Sequence, residues 1–403
     1  MKHDATIGER IAHYRRRRGL TQQVCGNLVG RSESWMSQVE RGLIQVDGVA
    51  AVLRLAVVLK VDLAKLLGPA LDLPPNGGSH DDLPRGVPAV SRAIIYPDRF
   101  ARMAFGGPVD LDDLAARVER ARRARRASRL TELAMVLPDL IVAARIATQD
   151  SPGSARAWGL LSHGYRLAGS LLRQFGECHL SWVAAERAVA AAERADDEVL
   201  MALGAWNLGS ALFAVAGHQD AADIVVQDAA SLLEVGIGAA LPERVAVFGE
   251  LRLATGVLTA TANDVAASRE AIRDAARVAE LLPEGHIDPW TAFCPTEVAF
   301  SDIQVWVELG DPVEALRVAD RTDFDALPLP QRQARAWARV AQAHGLRRKD
   351  GPAAASLLEA ERIAPEEVRY NRSVRELVGV LLRRERKSAT PGLRALARRI
   401  GVE

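Results

Sequence analysis

Residues 31–42 read RSESWMSQVERG. As a helix they set Glu33, Ser34, Ser37 and Gln38 on one face and Trp35, Met36 and Val39 on the other. Side chains of this kind can exchange hydrogen bonds with a partner. A short helix with a small, polar, neutral-to-acidic outer face can enter a groove of duplex DNA and offer donors and acceptors to base edges. Gln38 suits a bidentate pair with adenine, and Glu33, which only accepts, suits the cytosine amino group. Ser32 stands where a helix N-cap belongs, and Gly42 where such a helix ends.

Other chemistry is hard to place. The sequence has no P-loop, no glycine-rich dinucleotide turn, no HExxH and no CxxC pair. Cys178 and His179 are adjacent, so a helix turns them to different sides without metal-ligand spacing. His286 and Asp288 lack an evident nucleophile. We therefore expect a binding protein and no enzyme, with no cofactor and no metal. The three cysteines, Cys25, Cys178 and Cys294, are odd in number and far apart, which implies a reducing compartment and no disulfide framework. No basic start followed by an apolar run opens the chain, and no uninterrupted apolar segment of about 18 residues occurs. The expectation is a cytoplasmic protein without membrane contact.

The elements that would position residues 31–42 lie directly beside them. Thr6 can cap a helix IGERIAHYRRRR, with Ile7, Ile11 and Tyr14 on one stripe and Gly19 as its stop. Thr21 can cap a second, QQVCGNLV, closed by Gly30. Further on, VAAVLRLAVVLK and DLAKLL read as two more apolar helices that complete a five-helix domain over residues 1–68. Two helices joined by a short turn, the second with a polar outer face, form a helix-turn-helix. Charge follows the same division: the whole chain is balanced, with 52 basic and 51 acidic residues, but 1–68 carries a net +5 and the remainder −4. A small basic head on a slightly acidic body is the footprint of a protein whose head alone meets phosphate.

RRRRGLTQQ, SESWMSQVERG and LAVVLKVDLAKLLG, in that order and spacing, resemble the phage repressor/Cro-type (XRE) helix-turn-helix family over residues 6–68. The resemblance implies a phosphate contact for Gln22, base contacts for Glu33, Ser34 and Gln38 with Ser37 adjacent, and an internal tie between Arg15 and Glu40. Arg16, Arg17, Arg18, Arg31 and Arg41 are candidates for phosphate contacts that position without specifying. For the run 15–18 the alternative is a solvated helix end that complements the helix dipole. One departure stands out, since Cys25-Gly26 occupies a place usually held by a Leu-Ala-type pair and would loosen the second helix.

Residues 69–90, rich in Pro, Gly and Asp, read as a connector. From 91 to 403 the pattern is a series of amphipathic, Ala-rich helices without strand-like alternation, so the fold class is all-α. WARVAQAHGLRRKDGPAAASLLEAERIAP, with Trp337, Val340, Ala341, His344, Ala353, Leu357, Ala360 and Pro365, resembles a tetratricopeptide (TPR) repeat. Looser copies supply Leu208, Gly209, Leu212 and Ala221, and Trp306, Gly310, Ala315 and Ala319. Degenerate ones fall in 129–195 (Trp158, Tyr165, Trp182) and 241–282, and the tail PGLRALARRIGV resembles a capping helix. Stacked helix pairs present a concave surface suited to a peptide or protein segment.

Residues 283–298 interrupt the series with Pro283, Pro289 and Pro295 around Trp290 and Phe293. These aromatics either meet a ligand or plug the core between repeats. A similar segment occurs in actinobacterial regulators that join an XRE head to a TPR body, and the Arg bias (five lysines among the 52 basic residues) fits a GC-rich genome. The architecture is similar to that of the RRNPP peptide-sensing regulators, in which asparagines clamp a signalling peptide. That makes Asn207, with Tyr165, Trp290 and Phe293, a candidate ligand contact, the alternative for Asn207 being an inter-helix hydrogen bond. The basic run 117–129 reads as a solvated face, or as a surface for DNA flanks or an acidic partner.

The reading that follows is a sequence-specific regulator whose head binds double-stranded operator DNA. Its TPR-like body would make a homodimer and sense a peptide or small-molecule effector. Two alternatives remain: a TPR adaptor with a head that does not bind DNA, and a constitutive repressor with a purely structural body.

Overall fold

In a computed structural model of the chain, the described residues are 7–29, 31–41, 55, 58–59, 61, 86–95, 109–215, 217–384 and 390–402. They fall in two units, residues 1–79 and 80–403, and among them every regular element is a helix.

The first unit contains α1 (Ile7–Arg17), α2 (Gln22–Leu28) and α3 (Glu33–Glu40). Thr21 caps α2 by accepting from the Val24 amide at 3.1 Å, and Ser32 caps α3 by accepting from the Trp35 amide at 3.1 Å. Each cap satisfies an amide that has no partner inside its own helix. Ile11, Cys25, Val29, Met36 and Val39 close the core together with Leu55 and Leu59. Cys25-Gly26 does not loosen α2. Cys25 is fully buried, and a Cβ on Gly26 would stand 2.9 Å from the carbonyl oxygens of both Arg31 and Ser32. The missing methyl is what lets α2 meet the segment entering α3. Thr6, Gly30, Gly42 and most of the two apolar helices expected after residue 49 lie outside the described residues.

The second unit runs through α4 (Val87–Ile95), α5 (Leu111–Arg126), α6 (Leu130–Asp150), α7 (Ala155–Gln174), α8 (Cys178–Ala195), α9 (Glu198–Phe213), α10 (Gln219–Glu234), α11 (Pro242–Thr261) and α12 (Val265–Ala279). It continues with α13 (Pro295–Glu308), α14 (Pro312–Ala319), α15 (Pro330–Leu346), α16 (Asp350–Ile363), α17 (Pro365–Arg369), α18 (Arg372–Arg383) and α19 (Leu393–Arg399). α4 begins inside the stretch read as connector. Val87, Val90, Ala93 and Ile94 form a buried stripe that packs on α6. Pro88 sits in the first turn of this helix, where a missing N–H costs nothing.

Helices adjacent in sequence pack together from α7 through α10, and again at α11–α12 and α15–α16. Their seams are lined by small residues. Ala184, Ala188 and Ala192 on α8 are fully buried, as are Ala341, Ala353 and Ala360 between α15 and α16. The unit also closes on itself. Glu366 of α17 accepts from the Thr131 amide on α6 at 2.8 Å, and Phe175, after α7, meets Tyr370 edge-on at 4.6 Å. The tail helix α19 buries Leu393, Leu396 and Ala397 in the last core cluster.

Candidate nucleic-acid interface

The outer face of α3 carries Glu33, Ser34 and Gln38 exposed and Ser37 half-buried. Met36, Val39 and Glu40 are buried on the opposite side, with Trp35 partly covered against the same core. Gln38 Nε2 lies 3.5 Å from Ser34 Oγ, at the outer limit of a hydrogen bond, so its amide remains available.

What holds this face outward is a buried polar tie. Arg15 on α1 donates through Nε and Nη2 to both oxygens of Glu40, the latter at 2.8 Å, and through Nη1 to the Leu20 carbonyl at 2.7 Å. The side chains of Arg15 and Glu40 are 9% and 4% exposed. Burial alone would raise the Glu40 carboxyl, but hydrogen bonds from Arg15 and Gln22 hold it below the usual range. A bidentate, charge-assisted pair fixes the orientation of the two helices as well as their distance.

The phosphate candidates separate. Gln22 Nε2 donates to Glu40 at 2.8 Å, so the amide expected to face phosphate belongs first to the internal tie. A carboxylate is the stronger acceptor, and α2 starts beside it. Arg18 donates to the Val58 carbonyl. Arg31 lies over the Trp35 ring, 5.6 Å from its centroid, while Arg16, Arg31 and Arg41 are exposed. The side chain of Arg17 lies outside the described residues.

The four proposed ligand contacts do not form one site. Phe293 is wholly buried; a Cβ on Gly249 would fall 2.1 Å from its ring, so Phe293 fills a notch in α11 and cannot touch a ligand. Tyr165 lines a cleft of about 430 Å³ beside Arg145, Arg187 and Arg194. Asn207 and Trp290 line a different one. There Asn207 accepts from Arg166 Nε at 3.0 Å, the inter-helix hydrogen bond that was the alternative for it. The turn carrying Trp290 is built by Asp288, whose carboxylate accepts from the Trp290 amide at 2.9 Å and from the Thr291 amide and hydroxyl at 2.6 and 2.8 Å.

The basic run is only partly a solvated face. Arg117 pairs with Asp113 and Arg129 with Glu132 near the surface. Arg122, Arg125 and Arg126 instead line the cleft beneath Trp290, where sequence reading did not place them. Two of them find partners far along the chain: Arg122 donates to the Pro289 carbonyl at 2.7 Å, and Arg125 reaches Glu367 at 3.5 Å. The only signal in the sequence was the unusual density of arginine.

Residues 6–67 match a family model described as a helix-turn-helix domain. No curated protein matches the chain. The head thus contains a helix-turn-helix domain, which supports a DNA-binding regulator, and every regular element described in the second unit is a helix. Among the described residues no helix is long and apolar enough to cross a membrane.

Proposed function

We propose that this chain is a sequence-specific, cytoplasmic transcription regulator of the phage repressor/Cro (XRE) type that acts as a homodimer on operator DNA. The observation that carries the reading is the construction of α3. One side is locked by Ser32, the Arg15–Glu40 pair and a closed core, and the other turns Glu33, Ser34 and Gln38 outward. In this reading Gln38 and Ser34 read base edges, and Arg16, Arg31 and Arg41 position the head on phosphates. The body is a TPR-like solenoid, of the type found in actinobacterial regulators, and works by binding an effector, with no catalysis. Two heads held by it would read half-sites about one helical turn apart. An effector that prefers one arrangement of the body would change operator affinity by the same factor that the operator changes effector affinity.

The test is selection from random duplexes followed by a titration at several salt concentrations. A specific operator should emerge, and affinity should fall steeply with salt as counterions are released. Replacing both Gln38 and Ser34 by alanine should abolish the choice between selected and random duplexes. If the double variant still chooses as well as the parent, α3 is not the reader.

A further inference from the structure

We propose that the arginine-lined cleft of the second unit, between α5, α7, α15 and the turn at residues 288–291, binds the phosphate group of a small phosphorylated molecule. The proposal rests on the regulator reading only in calling that molecule the effector.

Seven arginines line the cleft, and their pairing is incomplete. Arg125 and Arg335 share Glu367, Arg332 is held by Glu250 at 3.0 Å and Glu297 at 2.8 Å, and Arg122 is held by Glu119 at 2.6 Å. Arg126, Arg166 and Arg173 have no carboxylate within ion-pair distance among the described residues. With Asp288, which acts on Arg166, also counted, the seven lining guanidinium groups have five carboxylate neighbours, an excess of at least two positive charges that a dianion would offset.

One unpaired member, Arg166, is held in place rather than left loose. Arg166 is 4% exposed. It donates from Nε to Asn207 at 3.0 Å and from Nη1 to His163 Nδ1 at 3.1 Å, and these bonds leave Nη2 free for a ligand. Trp290 stacks on His163 at 3.9 Å between centroids, and the Arg122 and Arg166 guanidinium groups lie 5.5 and 4.9 Å from the indole centroid. Burial pushes His163 well below its ordinary range, so it is the neutral acceptor this geometry needs. Burial likewise pushes Arg166 down to about 9 and Arg173 to about 10. Both stay cationic near neutral pH at a cost that a bound anion would remove.

Cleft size selects the ligand. Its volume is about 60 Å³, where a single water needs about 10–15 Å³ on the same measure. That admits one oxyanion group and is too small to enclose a peptide. Planar guanidinium forks on several sides suit a tetrahedral phosphate.

The experiment is calorimetric titration and thermal melting of the full chain without DNA, with inorganic phosphate, pyrophosphate and citrate as probes. Phosphate and pyrophosphate should bind saturably and raise the melting temperature, with citrate weaker. Arg173→Gln should weaken phosphate binding by about tenfold or more. It should also melt no lower than the parent without ligand, because the Arg173 side chain makes no hydrogen bond or ion pair among the described residues. Arg123→Gln, exposed on the same α5, should leave binding unchanged. The proposal is overturned if neither phosphate probe binds saturably, if citrate binds as tightly, if the two variants weaken binding equally, or if Arg173→Gln destabilises the free protein. Since no DNA is present, a head that failed to select a duplex would leave these results untouched.

Discussion

Glu40→Ala is the sharpest test of how the reading helix is held. The substitution leaves Arg15 buried with no anion, since the two side chains are 9% and 4% exposed, and it deprives Gln22 of its acceptor. Removing one partner of a buried pair costs about 3–5 kcal/mol. A domain of roughly 65 residues has about 3–10 kcal/mol in total, so the variant should lose most of the stability of the head. Hydrogen exchange read on peptides from residues 7–41 of the full chain measures this without interference from the body. Protection there should fall by about a hundredfold or more, while residues 111–383 keep theirs. Arg15→Met with Glu40→Leu should recover protection to within about 1 kcal/mol of the parent, because well-packed apolar isosteres often replace a buried pair at no loss. The sign with pH is fixed by the depressed Glu40 carboxyl. Its contribution is complete above the unfolded value of about 4.3 and is lost as pH falls through the lower folded value. If Glu40→Ala changes protection less than about fivefold, or if its pH profile matches the parent's, the pair does not hold α3.

Other outcomes follow from the same geometry. Gln38→Ala should relax discrimination at one base position by about 1–3 kcal/mol and leave the salt slope unchanged, as read by binding to single-base operator variants. Gly26→Ala should destabilise the head by about 1–3 kcal/mol, since its methyl would stand 2.9 Å from two carbonyl oxygens; hydrogen exchange over residues 22–41 reads it. Gly249→Ala should lower the melting temperature of the body through collision with the Phe293 ring, and adding Phe293→Leu should restore part of the loss. Ser32→Ala should cost about 1 kcal/mol by freeing the Trp35 amide, again visible in exchange at the start of α3.

How much of this was legible in the sequence depends on how local each cause is. Thr21 and Ser32 cap helices whose amides lie three residues away, and Met36 and Val39 follow a helical period. Local rules therefore place α2, α3 and their polar face. The Arg15–Glu40 tie spans 25 residues and came from the family resemblance rather than from any pattern. Pairing in the body is longer still. Arg122 meets Pro289 and Arg125 meets Glu367 across separations of 167 and 242 residues. No periodicity reports such partners, and a charged run looks solvated until the chain folds over it. Phe293 was ambiguous for a related reason: only the notch at Gly249 decides between plug and ligand contact.

The meeting of α5–α7 with α15 and α17 changes how the body can be dissected. In an open array each repeat leans on its neighbours alone, and stability adds along the chain. Here Glu366 and Glu367, more than 230 residues further along the chain than Arg125 and Thr131, supply the anions that meet Arg125, Arg335 and the Thr131 amide. A piece of the body that stopped before residue 366 would therefore leave Arg125 on α5 without its carboxylate and the Thr131 amide without its acceptor. A truncation meant to isolate the front of the body would thus damage the part it was meant to preserve.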